Sequence, residues 1–139
     1  MGRLIYLLDT NTISEPIKNS PNQNVLEKIE RYYSVCALSI FTVYELIKGV
    51  NQLPESKKRS RVFTYAEKTI SELEILDYTI DSAYWHGKEE ARLQSIGKSP
   101  PFIDAQIAAV AKVNDLILVT RNTDDFKYFS NLKLENWFN

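Results

Sequence analysis

The chain has 139 residues, 44% hydrophobic and 25% charged, which suits one globular domain spanning residues 1–139. Its 17 basic and 18 acidic residues leave a net charge of −1, which excludes a general cationic coat for nucleic acid but leaves room for a local basic patch. A lone Cys36 forms no intrachain disulfide, and no apolar run approaches the roughly 20 residues that cross a bilayer, so a cytoplasmic protein is expected.

In chain order, Leu4–Leu8 reads as a short buried strand, too short for a signal-peptide core and closed by Asp9. Val25, Leu26, Ile29 and Tyr33 then fall on one helical face, and Val35–Ser39 is a second strand. A second helix places Ile40, Val43, Tyr44 and Ile47 on one face, with Ser39 as its cap. Val62, Ala66, Thr69, Ile70 and Leu73 form a third stripe, followed by a strand over Glu74–Tyr78. Asp81-Ser82 is expected to cap a helix reaching about Gly97, with Tyr84, Lys88, Ala91 and Ser95 sharing a face. Ile103, Ile107, Val110 and Ala111 mark a helix beginning near Pro101, Leu116–Thr120 a fourth strand, and Leu132–Glu135 a short fifth. The polar stretches Asn19–Asn24 and Gln52–Ser60, each with a proline, are expected to be the mobile connections. Strand alternating with helix predicts an α/β domain whose four to five strands form a largely parallel sheet.

Carboxylates accumulate where such a sheet binds ligands, at the carboxyl ends of its strands. Asp9 follows the first strand, Glu45 lies in the second turn of the helix after Ser39, and Asp104 sits in the first turn after Pro101. Asp124 and Asp125 follow the fourth strand. Each acid taken singly is an ordinary cap or helix-start residue. Brought together they repel one another unless a cation intervenes. Mg²⁺ or Mn²⁺ accepts such oxygen ligands, whereas zinc would want histidine or cysteine, and the chain has only His86 and Cys36. A metal-dependent phosphodiesterase is the chemistry this pattern suits.

The segments LLDTNTIS, TVYELIKG, FIDAQIAAVA and LVTRNTDDF resemble, in combination, the four signature segments of PIN-domain ribonucleases, with the nearest likeness to VapC-type toxins. The resemblance runs from Leu7 to the final LKLENW and implies a three-layer α/β/α PIN-like fold. It also implies Mg²⁺ or Mn²⁺ dependence and endonucleolytic cleavage of RNA. Carried over by motif, Asp9, Glu45, Asp104 and Asp125 are the catalytic and metal-binding acids. Thr10, Asn11, Thr120, Asn122 and Asp124 are accessory, with Thr10 or Thr120 bonding a ligand carboxylate and Asp124 an extra acid outside the pattern. The toxin likeness implies a homodimer and a cognate antitoxin that lays its tail across the acidic groove.

Arg121 and Lys98, next to the acid segments, are the candidates for phosphate contacts with the substrate. Lys57-Lys58-Arg59 with Arg61 reads instead as the solvated start of a helix, and His86 as structural. Asn11 stands where haloacid-dehalogenase phosphatases carry a second acid, and four glycines without G-x-G-x-x-G argue against a Rossmann nucleotide binder. Two alternatives stay open: a stand-alone RNA or DNA processing nuclease, and a non-catalytic partner-binding domain on the same fold.

Overall fold

Short apolar runs with helical segments between them fold as the alternation requires. The computed structural model describes residues 3–139. Its strands are β1 (Tyr6–Leu8), β2 (Cys36–Ser39), β3 (Glu74–Leu76), β4 (Ile117–Val119) and β5 (Leu134–Glu135). They form one sheet in the order β3-β2-β1-β4-β5, and every pairing is parallel. The chain therefore builds outward from β1 in one direction and returns to build outward in the other. The connections leaving β1 and β4 diverge at that reversal and leave a cleft at the carboxyl edge.

The pleat sorts side chains into two cores. Leu7, Ala37 and Leu118 face one side of the sheet, where α5 (Ile80–Ser95) and α6 (Phe102–Val113) supply Leu93, Ile107 and Val110. Leu8, Leu38 and Val119 face the other, against α2 (Gln23–Tyr32), α3 (Ile40–Gln52) and α4 (Lys57–Glu72). A one-turn helix, α1 (Thr10–Ile13), follows β1. The result is a three-layer α/β/α fold. Each fully buried leucine or isoleucine contributes about 1.5–3 kcal/mol, so strands of three or four residues hold because both faces are covered.

Three local expectations are corrected. On α3 the buried stripe is Thr42, Leu46 and Val50, while Ile40 and Tyr44 are 39% and 51% exposed. The cause is the cap: Ser39 Oγ accepts the Thr42 amide at 3.2 Å and draws that face inward. With this rotation, Glu45 lies beside the buried stripe. On α5 the cap is Thr79 rather than Asp81-Ser82, because Ser82 is the reciprocal partner of a capping box. The face with Tyr84, Lys88, Ala91 and Ser95 is the solvent side; Ser82, His86, Glu89 and Leu93 are buried. Finally, Lys57–Ser60 is not a loop but the first turn of α4, capped by Ser56, and Gln23 and Asn24 already belong to α2, capped by Asn22.

Candidate active site

β1 delivers Asp9 to the reversal point, where it is 6% exposed and its amide donates to the Val119 carbonyl at 2.9 Å. One carboxylate oxygen accepts the Thr10 amide at 2.8 Å; the other accepts the Thr120 hydroxyl at 2.8 Å and the Asn11 amide group at 3.3 Å. Burial pushes Asp9 above its ordinary pKa, the bonds from Thr120 and Thr10 offset part of that, and the nearby Glu45 charge adds to it. Glu45 is fixed by the Thr10 hydroxyl, 2.5 Å from its Oε1, and that hydroxyl also lies 3.3 Å from Thr42 Oγ1. Thr120 and Thr10 thus each hold a different acid.

Asp104 occupies the first turn of α6, half-buried. Burial, then the charges of Asp9, Asp125 and Glu45, push its pKa up to about 6. Four acids from four separate segments therefore share one electrostatic neighbourhood. Among the described residues, no three acid, histidine or cysteine side chains already stand close enough to cage an ion. An all-oxygen donor set of this kind fits a hard divalent cation, which takes one or two carboxylates and completes its shell with water. The softer ligands are engaged elsewhere. Cys36 is buried beside the Tyr32 carbonyl with its thiol pushed up to about 12, and the His86 ring meets the Tyr78 hydroxyl at 2.8 Å.

The accessory residues divide. Asn11 bridges the strands, its Oδ1 accepting the Arg121 amide at 3.1 Å. The Asn122 amide donates to Thr120 Oγ1 at 3.1 Å, and its carbonyl accepts the Asp125 amide at 3.0 Å, which turns the chain so that Asp125 faces Asp104 electrostatically. The side chain of Asp124 is 89% exposed, 3.5 Å from Lys127. Lys98 sits 4.2 Å from the centre of the Tyr128 ring and shares a cavity of about 200 Å³ with Asp124 and Asp125. The Arg121 guanidinium lies over the Phe138 ring at 4.7 Å. Two buried acids had drawn no notice in the sequence: Glu15, 5% exposed beside Lys18, and Glu89, 6% exposed beside Arg92. The signal for both was a cation three residues further on.

A parallel three-layer domain with acids at its carboxyl edge matches the PIN domain model over residues 6–132, and the chain belongs to the PIN-domain family. The tRNA(fMet)-specific endonuclease VapC of Salmonella typhimurium is 33% identical over 134 residues, covering 96% of this chain and 98% of that protein. Among solved structures, FitAcB from Neisseria gonorrhoeae superposes with a TM-score of 0.89 at 30% identity, over 96% of this chain and 99% of that one. DNA-bound VapBC from Salmonella typhimurium gives 0.85 at 33% identity, over 96% and 98%. These relatives set the chain among the VapC ribonucleases of the family.

Proposed function

We propose that the chain is a divalent-metal-dependent endoribonuclease, the toxin of a toxin–antitoxin pair, working as one domain in the cytoplasm. The observation that carries the metal reading is Asp104: burial first, and then the charges of Asp9, Asp125 and Glu45, push its pKa up to about 6, so the cleft gathers negative charge that a cation would relieve. Asp9, Glu45, Asp104 and Asp125 would hold the Mg²⁺ or Mn²⁺ ion, which when bound supplies Lewis acidity at a phosphodiester.

The chain's own residues orient that donor set. Thr120 and the Thr10 amide fix both oxygens of Asp9, and the Thr10 hydroxyl fixes Glu45. Asn11 ties the β1 and β4 connections together, so the acids they carry keep their separation. Lys98 stands at the flank of the cleft as a phosphate contact, with Arg121 as a second candidate and Asn122 and Asp124 as peripheral groups. His86 takes no part; it is buried on α5, where its ring meets the hydroxyl of the half-buried Tyr78 ahead of that helix.

RNA is the substrate favoured by the ribonuclease relatives, structured RNA first, because the Salmonella relative is described as tRNA(fMet)-specific. The VapBC neighbours support a cognate antitoxin as partner, and a homodimer is the expected assembly. The test is incubation of purified protein with Mn²⁺ and total RNA, mapping new 5′ ends, beside Asp104→Asn. A few discrete cuts, absent from the variant, are expected. Intact RNA with cleaved single-stranded DNA, or a fully active variant, would overturn the reading. Light scattering checks the dimer.

A further inference from the structure

The acidic cleft opens on one side into a cavity of about 470 Å³. Thr10 and Glu45 form its inner wall, so it is continuous with the proposed catalytic acids. Leu46, Leu53 and Val62 make the opposite wall largely apolar, and Lys18 and Lys58 stand among its lining groups. Lys18 is a placed cation: its ammonium lies 3.1 Å from Glu15, an acid that is 5% exposed and also accepts the Asn22 amide at 2.8 Å.

Gly49 lines the same cavity, one helical turn beyond Glu45 on α3. Glycine in a helix interior needs a reason, since only proline is a poorer helix former. Backbone conformation gives none: among the described residues Gly97 is the only glycine with positive φ. Packing gives none either, because a Cβ added at Gly49 would meet no atom within 4 Å. What the missing side chain does provide is room in the cavity.

We propose that this cavity is a nucleobase subsite, receiving one unstacked base of the RNA next to the scissile phosphate while Lys18 and Lys58 hold the flanking backbone. The proposal rests on the ribonuclease reading and deepens it. Three properties select a base over other occupants. The volume is that of a small-molecule pocket, and the apolar wall suits a flat ring. Glu45 on the inner wall is held by Thr10 and committed to the metal site, so the apolar space beyond it offers a phosphate no cation, and the flanking backbone is left to the lysines. Bases in RNA loops and ends are splayed out and available for such a pocket, and seating a flat ring against Leu46, Leu53 and Val62 removes apolar area from water whatever the base.

Gly49→Leu fills the pocket, and Gly49→Ala fills it in part while keeping clear of Glu45. Both should keep or raise the melting temperature. With Mn²⁺, Gly49→Leu should lower kcat/KM on structured RNA by about tenfold, chiefly through KM. The loss on RNA should exceed any loss on methyl p-nitrophenyl phosphate, a diester with no base, by about tenfold. Removing the base beside the cleavage site should cost the unsubstituted protein a similar factor and Gly49→Leu nothing further. Unchanged RNA kinetics in Gly49→Leu, or equal losses on both substrates, would overturn the subsite. So would unchanged RNA kinetics with a weakened hold on an inhibitory protein partner, which would give the groove to that partner. If the unsubstituted protein hydrolyses neither substrate, the ribonuclease reading itself has failed and the subsite falls with it.

Discussion

Asp9 and Glu89 are each only 6% exposed, though Asp9 lies deeper below the surface, and their carboxyls shift in opposite directions. Glu89 on α5 receives two bonds from the Arg92 guanidinium, at 2.9 and 3.0 Å, and the Ser130 amide at 2.7 Å. The Arg92 bond outweighs desolvation and holds its carboxyl below the usual range. Asp9 has as many bonds, but all from neutral donors, and its nearest charge is another acid, so burial wins and its pKa rises. Glu15 follows Glu89: the Asn22 amide and Lys18 overcome burial. Burial alone therefore does not mark a functional acid. What sets the cleft apart is the missing counterion, since every other buried acid among the described residues brings its own cation or, for Glu89, a guanidinium fork.

The sharpest way to break this contrast is Asp104→Asn. RNA cleavage should fall by at least about a hundredfold, the upper range for weakening a metal site. Metal-free protein at pH 7.5 should nevertheless become more stable, with a melting temperature about 3 °C higher once solvent screening of this half-exposed group is allowed for. Loss of stability together with loss of activity would mean that Asp104 is structural.

Glu89→Gln should do the reverse. It leaves Arg92 without its counterion, and urea denaturation should show a loss of about 2 kcal/mol, reduced from the fully buried case because Arg92 reaches solvent. Below its melting temperature the variant should cleave RNA at the normal rate.

Acidity should separate the two regions again. Asp104 keeps its proton in the folded chain up to about 6 but in the unfolded chain only to about 3.8. Between those values the unfolded chain carries fewer protons, so this group's contribution to stability declines as pH rises. For Glu89 the folded pKa is depressed below 4.5, so its contribution is present above that value and lost on acidification. Metal-free melting curves from pH 4 to 7 should show the Asp104 decline, and Asp104→Asn should remove it.

The smallest effect belongs to Asp124→Asn. Its exposed carboxylate should matter by less than about 0.5 kcal/mol and leave cleavage nearly intact. Asp125→Asn, which removes one of the charges acting on Asp104, should slow cleavage; equal effects from the two would erase the distinction between them.

Much of this arrangement was legible in residue order. Compact apolar runs bounded by acids locate the strands, and the acids' positions relative to strand ends and prolines bring Asp9, Glu45, Asp104 and Asp125 to one sheet edge. The trimmed strand ends and the face of α3 were not legible, because Ile40, Val43, Tyr44 and Ile47 have the same spacing as Thr42, Leu46 and Val50. Only the tertiary fit of the Ser39 cap decides between the two faces. The Thr79 cap was hidden by Asp81-Ser82, two capping residue types just after it, and Ile80, 76% exposed, starts no buried stripe that would mark the earlier boundary. Gly49 carried no motif at all, since its meaning depends on a cavity shared by α3, α4 and the turn after α1.

Asp9 does two jobs. It faces the cleft, and it also starts α1: its side chain accepts the Thr10 amide, and its carbonyl accepts the Thr12 and Ile13 amides at 3.0 and 3.1 Å. Asp125, on an exposed turn, has no such second employment, and Asp104 makes no capping bond in α6. Evolutionary silencing of the cleft is thereby asymmetric. A lineage drifting from cleavage toward a purely binding role can shed Asp104 or Asp125 with the fold intact, and gains stability by losing Asp104. Losing Asp9 disturbs the first turn after the central strand. A descendant that retains Asp9 but lacks the other acids would thus be the expected fossil of a nuclease, its architecture still recording a charge it no longer gathers.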